Sequence, residues 1–70
     1  MKEFYSISIW WEDRITGDYG GPIVVATFAF YHDASQYAKD KLTYYSSFAT
    51  DVEITITKDN TIVKSLSYKG

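Results

Sequence analysis

Residues 51–57 read DVEITIT, a segment in which apolar β-branched side chains alternate with acidic and hydroxyl-bearing ones. Successive side chains of a β-strand point to opposite faces of the sheet, so this alternation predicts a strand with one buried face and one solvent face. Residues 58–60, KDN, predict a three-residue hairpin loop with Asn60 in the left-handed region. Residues 61–68 then predict a strand that returns antiparallel to the first of the pair.

One helix is predicted before this hairpin. Asp33 and Gln36 have the spacing of a capping box, in which each side chain satisfies a free backbone N–H group of the first helical turn. The helix is predicted from about residue 33 to residue 47. Its buried stripe is expected to consist of Ala34, Ala38, Leu42 and Tyr45. Two alanines in this stripe let the helix axis lie close to the sheet.

The strand of residues 61–68 carries a lysine on its apolar face. Ile62 and Leu66 are expected to face the helix, and the period of two places Lys64 on the same side. A lysine is tolerated there only at the edge of a sheet, where its stem covers apolar surface and its ammonium group reaches water. This strand is therefore predicted to be an edge strand.

The first half of the chain predicts two more strands, residues 2–11 and 23–31, both rich in β-branched and aromatic side chains. Residues 12–22, EDRITGDYGGP, predict a connection of about 11 residues, a length at which loops are often functional. The sequence allows two registers for this hairpin. In the first, Trp11 lies opposite Pro22. The resulting pairs on one face are Ile9 with Val24, Ile7 with Ala26 and Tyr5 with Phe28.

The second register makes the hairpin longer. The chain then turns at residues 16–18, TGD, and the strands extend through Ile15 and Tyr19. Gly20 and Gly21 absorb the extra residue as a β-bulge. Both registers keep the two strands antiparallel, so they predict the same topology.

The order of the elements predicts the sheet. A helix that follows the second strand brings the third strand back antiparallel beside the first. The chain is therefore predicted to form one α+β domain, residues 1–70, with the order ββαββ and a four-stranded antiparallel sheet of order 2-1-3-4, with one helix packed on one face. The residues expected to form its core are Ile7, Ile9, Val24, Phe28, Leu42, Tyr45, Ile54 and Ile56.

The composition excludes several classes of protein. The 70 residues include no cysteine and one histidine, which excludes disulfide scaffolds and cysteine-based zinc sites. The formal net charge of −2 is too small for a direct nucleic-acid binder or for an acidic mimic of a phosphate backbone. No apolar run reaches the roughly 18 residues of a membrane helix, and acidic residues come too early for a signal peptide. We expect a cytoplasmic protein that does not contact membranes.

Catalytic chemistry has little support in the sequence. His32 is the only histidine, and a side chain just before a helix start commonly packs on the first turn. The carboxylates of Glu12, Asp13 and Asp18 lack the spacing of a calcium loop. The chain has neither a base-activated nucleophile nor a glycine loop that precedes a helix. The sequence therefore predicts a protein that is not an enzyme and uses no metal or other cofactor.

Trp10 is the residue that indicates a binding surface. Adjacent residues of a strand face opposite sides, so if Trp11 belongs to the core, Trp10 projects onto the open face of the sheet. An exposed apolar patch that contains aromatic residues is typical of a partner surface. Alternatively, residues 12–22 fold back over Trp10, with Ile15 and Tyr19 as its cover. The neighbours expected beside Trp10 on the open face are Phe4, Ile23, Val25, Ala29 and Tyr31.

The whole pattern resembles small orphan proteins of bacteriophages and mobile elements, including anti-CRISPR inhibitors. The resemblance lies in the aromatic first strand, the D-x-x-Q-x-A helix segment of residues 33–38, and the VEITI strand followed by KDN. It implies a non-enzymatic inhibitor in the cytoplasm of a host cell. Its partner would be a host protein or nucleoprotein complex, with no direct contact to nucleic acid.

Partner contacts are expected from aromatic anchors and from carboxylates that steer the encounter with a basic surface. These residues are Trp10, Glu12, Asp13, Asp18 and Tyr19. The alternative is a structural or small-ligand-sequestering homo-oligomer. In that case the first hairpin is buried between two identical copies as a homodimer interface.

Overall fold

The computed structural model describes residues 4–70, which form four strands and one helix. The elements are β1 (Tyr5–Asp13), β2 (Tyr19–Phe28), α1 (Tyr31–Ser46), β3 (Ala49–Lys58) and β4 (Thr61–Lys69). The strands form one sheet of order β2-β1-β3-β4, and all neighbouring strands are antiparallel. The predicted α+β fold, its ββαββ order and its sheet order are therefore confirmed. Residues 2 and 3 of the predicted first strand lie outside the described residues.

The core lies between α1 and the two central strands, which carry the alternating isoleucines and valine that their sequences predict. Two alanines of α1 are fully buried, so the helix backbone lies close to the sheet. Leu42, Tyr45 and Phe28 are half-buried at the margin and pack against this core. The fully buried side chains are Ile7, Ile9, Ala34, Ala38, Ala49, Val52, Ile54 and Ile56.

Val24 is not part of the core, contrary to the prediction, and 63% of its surface is exposed. The reason is an irregularity in β2: Ile7 pairs with Ala26 but Ser8 pairs with Val24, so Val25 is an additional residue in β2. A β-bulge of this kind reverses the faces of the residues that follow it up to the next irregularity. Val25 packs against the core, and Val24 lies on the open face instead.

The turn of the first hairpin is short, as in the second of the two predicted registers. Trp11 pairs with Gly20, not with Pro22, and the strands are joined by residues 14–18. A second register shift lies between Ile9 and Trp11, where β2 carries the extra residue. The expected long loop of residues 12–22 is therefore wrong, because Glu12 and Tyr19 are paired within the sheet.

Helix α1 begins at Tyr31, two residues before the predicted N-cap. Phe30 is the N-cap residue with extended backbone, and within residues 4–70 no side chain caps this end. The predicted capping box is wrong, because Asp33 lies inside the first turn and Gln36 donates a hydrogen bond from Nε2 to Oδ1 of Asp40, 3.1 Å away. Tertiary packing accounts for the earlier start, since the ring of Tyr31 packs edge-to-face on Tyr5 with centroids 5.6 Å apart.

The second hairpin has a two-residue turn instead of the predicted three-residue loop. Lys58 pairs with Thr61, and Asp59 and Asn60 have φ angles of 53° and 63°. Two successive left-handed residues are typical of a type I′ turn, whose twist matches that of antiparallel strands. The expected left-handed conformation of Asn60 is confirmed.

Edge strand β4 contains its own register shift. Lys64 pairs with the fully buried Ile56. It therefore lies on the helix side of an edge strand, as predicted. Ile62 pairs with Thr57 and lies on the open face, 61% exposed, so its predicted contact with the helix is wrong. The shift between these two pairs leaves Val63 as the extra residue and reverses the face of Ile62.

Candidate functional site

The open face of the sheet, opposite α1, changes in character from one end to the other. At the end near the turn of residues 14–18, the register aligns Tyr19, Glu12, Asp51 and Lys69 in one row across the four strands. The next row places Trp10 opposite Glu53. Further along, the rows consist mainly of serine and threonine. We call the first group the acidic–aromatic patch, which consists of Trp10, Glu12, Tyr19, Asp51 and Glu53.

Trp10 forms the centre of this patch. Its ring lies 6.1 Å from the ring of Tyr19 between centroids, with 36° between the planes, and Tyr19 is 71% exposed. On one side Trp10 lines a depression of about 390 Å³ with Pro22 and Glu53. On the other side it lines a depression of about 310 Å³ whose further walls include Asp51. The indole is therefore an accessible apolar wall with carboxylates close to both of its sides.

The acidic residues of the patch occupy neighbouring positions on one face of the sheet. Glu12 pairs directly with Asp51, and like charges in directly opposite positions of a sheet are destabilising. Glu53 adds a third carboxylate on the same face, and Lys69, which pairs with Asp51, is the one cation in these rows. Positions that break a local rule of stability are candidates for function.

Asp51 also has unused hydrogen-bonding capacity. Its Oδ1 atom is shielded from solvent and accepts no hydrogen bond from any group within residues 4–70. The terminal torsion of an aspartate is broad and interchanges the two oxygens, so the carboxylate can present an acceptor to a donor that enters the depression beside Trp10. A cationic donor suits this position best, since hydrogen bonds between charged groups are about twice as strong as neutral ones.

Asp13 and Asp18 form hydrogen bonds within the turn that borders the patch. Oδ1 of Asp13 accepts hydrogen bonds from the N–H groups of Ile15 at 2.8 Å and Thr16 at 3.0 Å. These two bonds lower the pKa of Asp13 below its ordinary value, and the bond from Thr16 has the larger effect. The N–H of Asp18 donates to Oγ1 of Thr16 at 3.1 Å, and its carbonyl accepts a bond from the N–H of Asp13. The Asp13 carboxylate is thus engaged within the turn, whereas Asp18 is exposed beside Tyr19.

Arg14 connects the same turn to the C-terminal end of α1 by hydrogen bonds. Its guanidinium Nη2 donates to the carbonyl oxygens of Ser46 at 3.2 Å and Ala49 at 3.4 Å, and its backbone N–H donates to the carbonyl of Phe48 at 3.0 Å. A cation close to the carbonyl groups at a helix C-terminus is favourable because it complements the helix dipole. The position of the turn is therefore set by α1 as well as by the sheet.

The expected apolar neighbours of Trp10 are mostly elsewhere. Ile23 pairs with the buried Ile9 and so belongs to the helix side, and Val25 packs against the core. Ala29 and Tyr31 lie beyond β2, so of the five expected neighbours only Phe4 lines the open face, in a depression at its serine-rich end. The bulge at Val25 accounts for Ile23 and Val25, and the end of β2 at Phe28 accounts for Ala29 and Tyr31.

The expected cover of Trp10 is found in part. Tyr19 does lie beside the indole, but Ile15 is 92% exposed and leaves it uncovered. Sequence reasoning missed Asp51 and Glu53 as site residues. The signal was present, because the alternation of residues 51–57 assigns both to the solvent face, and the sheet order 2-1-3-4 places their strand beside Trp10.

His32 is exposed in the first turn of α1. Among residues 4–70, no group of three or more histidine, cysteine, aspartate or glutamate side chains is arranged to hold a metal ion. In the same part of the chain, no helix has the length and apolar character needed to cross a membrane.

Comparison of the chain with protein-family models, with curated proteins and with solved structures gives no match. No family assignment follows, and the residues of the acidic–aromatic patch are the basis on which a function can be proposed.

Proposed function

We propose that this chain is a non-catalytic protein-binding module that inhibits a nucleic-acid-handling protein complex by docking its acidic–aromatic patch on a basic surface of that complex. The observation that supports this proposal is the arrangement around Trp10. Two neighbouring aromatic rings lie on one sheet face together with the carboxylates of Glu12, Asp51 and Glu53. Trp and Tyr are among the residues most enriched at binding hot spots.

The geometry suits arginine or lysine side chains of the partner. A guanidinium group can stack on the face of Trp10 while it donates hydrogen bonds to Glu53 or Asp51, which lie on β3 beside that ring. Burial of the ring supplies apolar contact area, and the carboxylates supply charge-assisted bonds. Each interaction favours a cationic partner over a neutral one.

Inhibition follows from competition. A basic surface that binds nucleic acid through phosphate contacts is blocked when another protein occupies it. The formal net charge of −2 is too small for charge alone to displace a nucleic acid, so the aromatic contacts carry much of the specificity. The carboxylates of the patch and Asp18 accelerate the encounter electrostatically, and salt weakens that acceleration.

The test compares two double variants with wild-type protein. Trp10→Ala/Asp18→Lys removes one aromatic ring of the patch and reverses the charge of Asp18 beside it. The matched control, Phe4→Ala/Asp40→Lys, makes the same changes at the far end of the open face and on the exposed side of α1. Circular dichroism and thermal unfolding verify that each variant is folded before binding is measured.

Each protein is immobilised and exposed to nuclease-treated host lysate, and retained proteins are eluted with a salt gradient. We expect wild type and control to retain the same basic protein, the patch variant to lose it, and added DNA or RNA to compete for it. Equal retention by all three proteins, or retention that depends on nucleic acid surviving in the lysate, would refute the proposal.

A further inference from the structure

The two edges of the sheet differ in how they are protected. β4 carries Lys64 and Lys69, whereas β2 has no charged residue from Tyr19 to Phe28. An edge strand presents unpaired N–H and C=O groups to any strand that approaches, and natural proteins commonly block such edges with lysines. The β4 edge has this protection, whereas the β2 edge has no lysine and is protected only by Pro22 and by its register irregularities.

The β2 edge is also apolar on both faces of the sheet. Val24 lies on the open face and is 63% exposed, and Ile23 lies on the helix side and is 48% exposed. Ile23 remains uncovered because α1 packs mainly on β3 and least on β2. Both aliphatic side chains are β-branched, a type that favours strand pairing.

We propose that β2 pairs with β2 of a second copy of this chain, antiparallel and about a two-fold axis, so that two four-stranded sheets become one eight-stranded sheet. A two-fold contact brings the same surface of both copies together, and β2 suits this because an uncharged strand then meets an uncharged strand. Pairing of β2 with β4 of another copy would instead set Ile23 and Val24 against a strand that carries two lysines.

Charge supports the antiparallel arrangement. The acidic residues Glu12, Asp13 and Asp18 all lie at one end of β2. An antiparallel pair places these two acidic ends at opposite ends of the shared strands. With residues 23–28 of both copies paired, the two acidic ends are about 40 Å apart at ~3.3 Å per residue, several times the Debye length of about 8 Å at physiological salt. A parallel pair would bring the two acidic turns together.

Two features limit how long the paired segment can be. Pro22 has no N–H group to donate, and the bulge at Val25 interrupts the regular edge. The available segment therefore runs from Ile23 to Phe28 and is itself interrupted. We expect a reversible dimer whose population depends on protein concentration.

The test measures molecular mass by sedimentation equilibrium from about 1 μM to about 1 mM, a range that covers moderate to weak association. Val24→Lys places a charge on the β2 edge, and Ile62→Lys is the matched control. Ile62 is 61% exposed, lies on the same open face, and belongs to the other edge strand. Wild type and Ile62→Lys should dimerise alike, and Val24→Lys should remain monomeric.

Hydrogen exchange of wild-type protein provides a readout that does not depend on a variant. The amides of residues 23–28 should exchange more slowly at high than at low protein concentration, and those of β4 should not change. A wild-type monomer at about 1 mM, or a dimer that Ile62→Lys disrupts and Val24→Lys does not, overturns the inference. Trp10→Ala should leave the dimer intact, so failure of this inference and failure of the proposed function are distinguishable.

Discussion

Gly20 lies against the ring of Trp11, and replacing it with alanine tests how the helix side of the first hairpin is packed. A Cβ atom at this position would lie 2.5 Å from Cζ2 and 2.6 Å from Cη2 of Trp11. Both distances are far below van der Waals contact, so the indole must shift away from position 20, which disturbs its packing on the ring of Tyr45, with centroids 5.1 Å apart. Overpacking of this kind costs about 1–3 kcal/mol. We expect Gly20→Ala to lower the free energy of unfolding by that amount.

The assay is urea unfolding followed by far-UV circular dichroism, in wild-type and Trp11→Phe backgrounds. Cζ2 and Cη2 have no counterpart in phenylalanine, so in that background Gly20→Ala should cost less than about 0.5 kcal/mol, a difference that a double-mutant cycle resolves. An equal cost in both backgrounds would show that the backbone, and not the indole, excludes a side chain at position 20. A wild-type cost below about 0.5 kcal/mol would refute the packing itself.

Two further predictions concern the turns. Hydrogen bonds from the N–H groups of Thr16 and Ile15 hold the pKa of Asp13 below 3.8, so its carboxylate stabilises the folded state fully above pH 3.8, and this contribution is lost as the pH falls through the lower folded-state pKa. NMR titration of the carboxyl carbon should give a value below 3.8, and a value at or above it would contradict the turn geometry. Asn60 has a φ of 63°, and a left-handed backbone costs an ordinary side chain about 1–2 kcal/mol. In urea unfolding, Asn60→Ala should therefore lose about 1 kcal/mol and Asn60→Gly should lose little, whereas equal losses would argue against backbone strain.

The topology was predictable because alternation in β1 and β3 is strong and local. Ile7, Ile9, Ile54 and Ile56 follow a period of two without interruption, and all four are buried. The register of β2 was not predictable in the same way, because Ile23, Val24 and Val25 are all apolar and no pattern separates the face of one from that of the next. A bulge within such a run changes nothing in the sequence pattern.

The start of α1 was not predicted correctly, because tertiary packing outweighs the local capping preference there. Asp33 is a good capping residue by type, but the packing of Tyr31 on Tyr5 places it inside the first turn. For the candidate site, the sequence predicted Trp10, Tyr19 and Glu12. Trp10 was predictable because adjacent residues of a strand face opposite sides, which places it on the open face once Trp11 is assigned to the core. Asp51 and Glu53 join the site because β3 pairs with β1 in a register that places them beside Trp10 and Glu12. The alternation within a single strand does not reveal the register of such a long-range pairing.

The hydrogen bonds of Arg14 have a consequence for binding entropy. The turn that leads into Tyr19 is held by Asp13 from within and by the Arg14 guanidinium against the end of α1. A loop that becomes ordered only on binding loses affinity, about 0.5–1.5 kcal/mol for each flexible side chain that is immobilised. Here that ordering takes place during folding. A partner of the acidic–aromatic patch would therefore bind beside a turn that is already ordered. Loss of Arg14 would weaken binding without removing any contact to the partner.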